Sequence, residues 1–466
     1  MSFSRFLESR KPMAEALVKE LQKSYSYAGI LGTDVSAVSF QATKMSATAK
    51  EGEGERGFTV KLHDGKAVFE YALDDLVGDP RELAEKIRSE LTPGDALAGK
   101  MIRAEVLRDE PLRKDFRRET DFSSFDDETV LGVCSELSKA ISGRDERVQN
   151  AFVRIGTFTA DKLFVSPNRR LTQSYGWANG VMMAVYQGEK KMAEARKMAY
   201  GTSLGKMIGE MRELVDPLLE LAGLLGRAKP IVPGVYDVIT DPSITGLIAH
   251  EAFGHGVEMD QFVKDRALAK AYVGKPVASP IVNMRDGAAS TLSAASYFFD
   301  DDGVPAGDTK IIENGILVRG LSDLTSAAEL GTAPTGNGRR ESFRRKAYTR
   351  MTNTFFEPGQ DKLEDMIASI DHGYMLFDTN NGMEDPKNWQ IQCTAEYGIE
   401  ILNGKLTGNV VSPVVMSGYV PDLLKSISMI SDAFTVTGAG MCGKGYKEWV
   451  RVSDGGPHLK ARVKLG

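Results

Sequence analysis

The chain has 466 residues, 42% of them hydrophobic and 26% charged, with 58 Lys and Arg against 64 Asp and Glu, for a formal charge of −6. This length has room for about two to four domains with sizeable cores, and the acidic balance argues against a general nucleic-acid binder, which would be basic. Three cysteines, Cys134, Cys393 and Cys442, are too few and odd in number for a disulfide scaffold, so a reducing, cytoplasmic setting is expected.

At the N-terminus Arg5, Glu8 and Arg10 interrupt the apolar core that a signal peptide needs. Met13, Leu17, Val18 and Leu21 then mark one face of a helix. An Asp64-Gly65 loop predicts a two-residue hairpin that pairs Leu62 with Ala67 and Val60 with Phe69. A helix is expected from Pro80 to Leu91, whereas the charged stretch from Leu97 to Glu128 carries no clear pattern. Strands are expected between Val148 and Gln187. The charge-free run Leu171 to Gly188 holds Thr172, Gln173, Ser174, Asn179 and Gln187 and is too polar to cross a bilayer. Lys190 to Leu225 reads as helical. Gly226, Pro230, Pro233 and Gly234 break the pattern and suggest a boundary.

The second half opens with a short strand, Val235 to Ile239, and a capped helix start at Asp241 and Pro242. Hairpins are expected around Asn314-Gly315 and Asn403-Gly404. Between them Leu363, Met366, Ile367 and Ile370 recur at helical spacing, and Pro421 opens a helix carrying Leu423, Ile427 and Ile430. The whole reads as an α+β protein with extensive antiparallel sheet in two domains. Residues 1–228 form an N-terminal α+β domain, and residues 229–466 form a mostly antiparallel β domain carrying the chemistry.

That chemistry centres on His250-Glu251-Ala252-Phe253-Gly254-His255. Two of the five histidines flank a carboxylate, a composition suited to zinc with a proton-moving Glu. Histidines at i and i+5 stand about 140° apart on a regular α-helix. One π-type widening to about 4.4 residues per turn returns them to one face. Gly254 and Gly256 weaken the helix there, at about 1 kcal/mol each against Ala. A bulge or loosened turn between Glu251 and His255 is therefore expected. The alternative is that the rings point apart and bind nothing together.

A catalytic zinc keeps three protein ligands and an open position. Cys442, on the glycine-rich stretch Thr437-Gly-Ala-Gly-Met-Cys442-Gly-Lys-Gly, is the first choice for the third, with His458 the competitor. The thiolate suits zinc. Cys134 and Cys393 read as buried hydrophobes, His63 as solvent-exposed beside its hairpin turn, and His372 as a helix-end residue. Gly438, Gly440 and Gly443 match a GxGxxG pattern. However, the following Lys444-Gly-Tyr-Lys-Glu-Trp is not helical, which disfavours a dinucleotide site. The basic run Arg339 to Lys346 has three readings: phosphate contact, peptide carboxylate binding by Arg339 and Arg340, or a loop tied down by ion pairs.

Taken together, Leu247-Ile-Ala-His250-Glu-Ala-Phe-Gly-His255-Gly, Thr335-Gly-Asn-Gly-Arg-Arg-Glu-Ser, Arg350-Met-Thr-Asn-Thr, Met441-Cys442-Gly-Lys-Gly and Gly455-Gly-Pro resemble the TldD/PmbA peptidase family, on its TldD side, in order over about residues 230–460. The resemblance implies a zinc metallopeptidase with one Zn²⁺ per active subunit, held by His250, His255 and Cys442, with Glu251 as base. Partner-type members lack these ligands, and this chain keeps them. It also implies a dimer, with a PmbA-like (TldE) partner or with itself, acting on small or unfolded peptides. An extended peptide could add to a sheet edge, for which Ile391–Ile399 is the candidate. The competing expectation is a non-catalytic modulator with a structural metal, touching protein or nucleic acid through Arg339 to Lys346.

Overall fold

Two unusually long strands, Val148–Val165 and Arg169–Gln187, dominate the first half. They turn back on each other through Ser166, whose backbone N–H donates to the Arg169 carbonyl at 3.1 Å. This is a computed structural model of the chain, and it describes residues 3–52, 54–92, 95, 109–189, 191–445 and 448–466. Among these the first half builds an eight-stranded sheet. Its order runs Val68–Leu73, Glu55–His63, Tyr27–Ala42, Val148–Val165, Arg169–Gln187, Leu112–Arg117. Met192–Gly201 adds as an edge strand on Arg169–Gln187. Helices Arg5–Leu21 and Pro80–Glu90 cover one part of the sheet, while Asp127–Arg144, Leu204–Glu213 and Val215–Arg227 cover another. All of these but Val215–Arg227 are capped at their starts by a side chain. Asp79 accepts from the Arg81 and Glu82 N–H groups, and Asp126 accepts from Thr129.

In the second half, strands His372–Asp385, Gly234–Thr240, Leu459–Leu465, Val414–Tyr419 and Gln390–Leu402 pair in that order, and the last pairs back onto the first. A six-stranded sheet packs beside this closed set and ends in Asn353–Phe356, Glu448–Gly456 and Thr435–Lys444. The helix Pro242–Leu247 and its continuation Ile248–Gly254 run between the two sheets and are almost wholly buried. The halves meet at a buried cluster in which Arg340 donates to Glu70 at 3.0 and 3.1 Å and Lys61 bonds both Glu70 and Asp302. No helix among the described residues is long and apolar enough to cross a membrane.

The expected α+β character with extensive antiparallel sheet holds. The hairpins around Asn314-Gly315 and Asn403-Gly404 form as expected, with Glu313 opposite Ile316 and Leu402 opposite Lys405. Other expectations are corrected. The first hairpin pairs Leu62 with Phe69 and Val60 with Tyr71. The Asp64 side chain accepts from the Lys66 and Ala67 N–H groups at 2.8 Å, which lengthens the loop. The slip is two residues, so the buried face is unchanged. His63 is buried, its Nδ1 2.7 Å from the Ser26 hydroxyl.

Met192–Gly201 is a strand rather than helix. Ala193, Ala195 and Ala199 lie buried on one face, and pairing with the long neighbouring strand outweighs the helical propensity of its Met, Ala, Lys and Glu. The helix at Pro421 stops at Ser426, because Ile430 leaves it to pair with Leu459. Ile391–Ile399 is an interior strand, paired on both sides, and offers no edge. Residues 97–108, part of the stretch without pattern, and Lys190, Tyr446 and Lys447 lie outside the described residues.

Candidate metal centre

The Asp241 side chain accepts the Ile244 N–H at 2.8 Å, and Pro242 supplies the first helical residue. The ordinary α-helix lasts only to Leu247. From Ile248 to Gly254 the chain is π-helical, and the His255 N–H donates to the His250 carbonyl, five residues back. This is the widening that the i, i+5 spacing requires. The rings of His250 and His255 come to 5.1 Å between centroids, nearly perpendicular at 86°. Gly254 has a packing reason as well as a conformational one: a Cβ there would lie 2.1 Å from the Met351 Sδ and 2.9 Å from the Ala249 carbonyl.

Cys442 arrives from the edge strand Thr435–Lys444, whose only strand partner among the described residues is Glu448–Gly456. Its Sγ lies 3.4 Å from His255 Nε2. Candidate ligand atoms of His250, His255 and Cys442 all fall within 4.8 Å of one another. The buried Arg350 donates to the carbonyl of Cys442 on this strand and to that of Glu448 on its neighbour, tying the pair down. Glu251 stands beside both rings, 4.0 Å from His250 Nε2 and 3.8 Å from His255 Nε2. Gly382 makes room for it, since a Cβ there would be 2.7 Å from the Glu251 Cγ.

Electrostatics bind the group together. Burial pushes the Cys442 thiol up, but the two imidazoles outweigh it and hold the thiol well below its ordinary value. Burial works against the charged form of His250, yet the Cys442 thiolate brings it up to about 9. His255 is raised for the same reason, with Glu258 adding to it. Glu251 is raised by burial. Two imidazoles and a thiolate are the donor set zinc favours, and the buried His250 Nδ1 has no hydrogen-bond partner. The residues present therefore fit a zinc ion.

Around the cluster opens a cleft of about 1070 Å³ lined from both halves of the chain, by Tyr200 and Met198 on one side and Met383, Trp449 and Asp454 on the other. Three polar residues of this neighbourhood escaped sequence reasoning. Glu258, whose Oε2 lies 3.2 Å from His255 Nδ1, follows that histidine by three residues and could have been read as part of the motif. Glu384, pushed up to about 8 by burial, and Asp454, up to about 6 for the same reason, come from strands with no local signal.

The remaining expectations separate. His458 is not brought to the cluster; its Nδ1 faces the Ser431 hydroxyl at 3.4 Å. Arg339 and Arg340 do not line the cleft. Arg339 donates to the carbonyls of Met351 and Arg451 at 2.7 and 2.6 Å, and Arg340 is buried against Glu70. Their guanidinium groups are thus taken up by partners within the fold rather than facing the cleft. Cys134 and Cys393 are buried as expected.

The profile of the PmbA/TldA metallopeptidase C-terminal domain matches residues 233–464, the segment that contributes all three candidate ligands. The chain belongs to the TldD/PmbA family. Among relatives of this family, it is 33% identical over 254 residues to a metalloprotease of Methanothermobacter thermautotrophicus, covering 54% of this chain and 55% of that one. It is 34% identical over 235 residues to a zinc metalloprotease TldD homolog of Saccharolobus solfataricus, covering 50% and 52%. A metalloprotease of Synechocystis is 28% identical over 71% of each chain. The chain thus spans about half the length of most of these relatives. A Thermotoga maritima protein described as a candidate modulator of a DNA gyrase superposes with a TM-score of 0.78 at 18% identity, covering 99% of this chain and all of that one. TldE of Thermococcus kodakarensis superposes at 0.76, also at 18% identity, over 97% and 100%. These two likenesses establish a shared fold.

Proposed function

We propose that the chain is a zinc-dependent metallopeptidase in which His250, His255 and Cys442 hold one Zn²⁺ and Glu251 is the general base. The observation that carries this reading is the π-helical turn, which brings two histidines five residues apart into one cluster with a thiol from a distant strand. A bound zinc ion would lower the pKa of water towards about 7 and polarise the scissile carbonyl. Glu251, beside both imidazoles, takes the proton of the attacking water and returns it to the leaving amine. The edge strand Thr435–Lys444 lines the cleft and, among the described residues, pairs on one side only, which leaves an edge to which an extended peptide could add. Small or unfolded peptides fit that mode of binding. We place the protein in the cytoplasm, where the thiol stays reduced, as a dimer with itself or a TldE-like partner.

The modulator reading depends on free cations in Arg339 to Lys346. Of these, Arg340 is buried against Glu70 and Arg339 is turned to backbone carbonyls, so two cations of the run are withdrawn from the surface. The test is metal analysis of the purified protein together with cleavage of an unstructured peptide. Wild type should carry about one zinc per chain and cut. Glu251→Gln should keep the zinc and lose about 10²–10⁴-fold in rate. Full activity in Glu251→Gln would refute the assigned base.

A further inference from the structure

The thiol of Cys442 sits on the last strand of its sheet, held by one neighbour, and the register of that pairing slips between Thr437 and Gly440. Backbone pairing of this kind fixes a side chain's position weakly, and a slip of one residue would turn the thiol away from the histidines. Arg350, donating to the Cys442 carbonyl, secures the backbone, and a second anchor acts on the thiol's own face of the strand. Two residues on, and therefore on the same face of the strand, Lys444 turns inward, its side chain only 8% exposed. Its Nζ donates to Glu258 Oε2 at 2.9 Å, to Asp260 Oδ1 at 2.7 Å and to the Thr349 carbonyl at 3.0 Å. All three protons of the ammonium are thereby used. Glu258 and Asp260 belong to the segment directly after the histidine turn, and the fully buried Glu258 also meets His255 Nδ1 at 3.2 Å.

We propose that Lys444 is a positioning residue of the metal centre. It clasps the cysteine strand to the histidine segment, setting the thiol against the imidazoles through one side and, through Glu258, fixing the ring of His255 on the other. A carboxylate on the far nitrogen of a ligating histidine sets its tautomer and orientation, and here that carboxylate is itself held by the residue that anchors the third ligand. The clasp deepens the zinc reading and rests on it. A buried ion pair adds little net stability compared with apolar packing, so its contribution lies in geometry.

The experiment is titration of chelator-treated full-length protein with Co²⁺, read by absorption. Wild type should show ligand-field bands and a thiolate-to-cobalt charge-transfer band, the latter lost in Cys442→Ser. Lys444→Gln should bind Co²⁺ about 10–100-fold more weakly, with the charge-transfer band diminished relative to the ligand-field bands, and Lys444→Arg should restore much of both. Circular dichroism melts report whether each variant is folded. If Lys444→Gln does not fold, Asp260→Asn, which leaves the Glu258 contact intact, should still weaken Co²⁺ several-fold. Wild-type affinity with a full charge-transfer band in folded Lys444→Gln, or in Asp260→Asn where the former fails, overturns the clasp and leaves the zinc reading standing. Absence of the charge-transfer band from wild type overturns the zinc reading and the clasp with it.

Discussion

Two of the buried groups of charged residues are built on opposite principles. Where the halves of the chain meet, Lys61, Glu70, Asp302 and Arg340 form ion pairs with one another, with only the Arg340 Nε among the guanidinium nitrogens left without a hydrogen-bond partner. Burial pushes Glu70 up, but Arg340 and Lys61 outweigh it and hold its carboxyl at about 2. At the cleft, His250, His255, Cys442 and Glu251 crowd together with a ring nitrogen left unpartnered and open space beside them. The first group has cations and anions in balance and no access. The second has donors in surplus and a cleft. Burial of charge by itself thus says little about function; what distinguishes the second group is a set of metal-type donors gathered beside open space.

Removing a ligand should break the comparison most completely. His250→Ala or Cys442→Ser should abolish stoichiometric zinc and bring peptide cleavage to background, as measured by metal analysis and a cleavage assay, with the fold retained by circular dichroism. Arg340→Met should do the reverse. Leaving buried Glu70 and Asp302 with Lys61 as the one remaining cation of this group should cost up to about 3–5 kcal/mol in denaturant unfolding, while zinc content and activity per folded molecule stay at wild-type values. A fall in zinc in that variant would merge the two groups.

A pH series sharpens the contrast. In zinc-free protein the folded state holds His250 up at about 9, above its ordinary 6.5. The folded state therefore binds the proton more tightly than the unfolded chain. Its contribution to stability is fully present below about pH 6.5 and is lost as pH rises through about 9. Melting temperature of the zinc-free protein should decline over that window, and His250→Ala should flatten that decline. The smallest effect is expected on the surface. Arg344 and Asp74 are 67% and 74% exposed, and Arg344→Ala should change unfolding free energy by at most about 1 kcal/mol without altering cleavage or zinc binding.

Legibility from sequence followed how local each signal is. The HEAFGH spacing forced a choice between a widened helix and no shared ligand. The π turn at Ile248–Gly254 is the first of these. The Asn-Gly hairpins were legible because two residues set their turn. By contrast Met192–Gly201 has helix-forming composition and becomes a strand only because Arg169–Gln187 lies beside it. Arg339 and Arg340 look like a ligand-binding pair in one dimension. Only the tertiary fold supplies the partners that absorb their charge, the Glu70 carboxylate from the other half and the Met351 and Arg451 carbonyls from their own.

What the amino-acid order determined alone is the donor chemistry: two imidazoles and a carboxylate on one short helical segment, a thiol among glycines, and a helix weakened where it must widen. Those are consequences of residue type and spacing within a few positions. The tertiary structure decided which distant residues complete the group, choosing Cys442 over His458 and bringing up Lys444, Glu384 and Asp454. That choice depends on sheet order and on side-chain anchors between segments nearly two hundred residues apart (His255 and Cys442 differ by 187), and no local pattern encodes it.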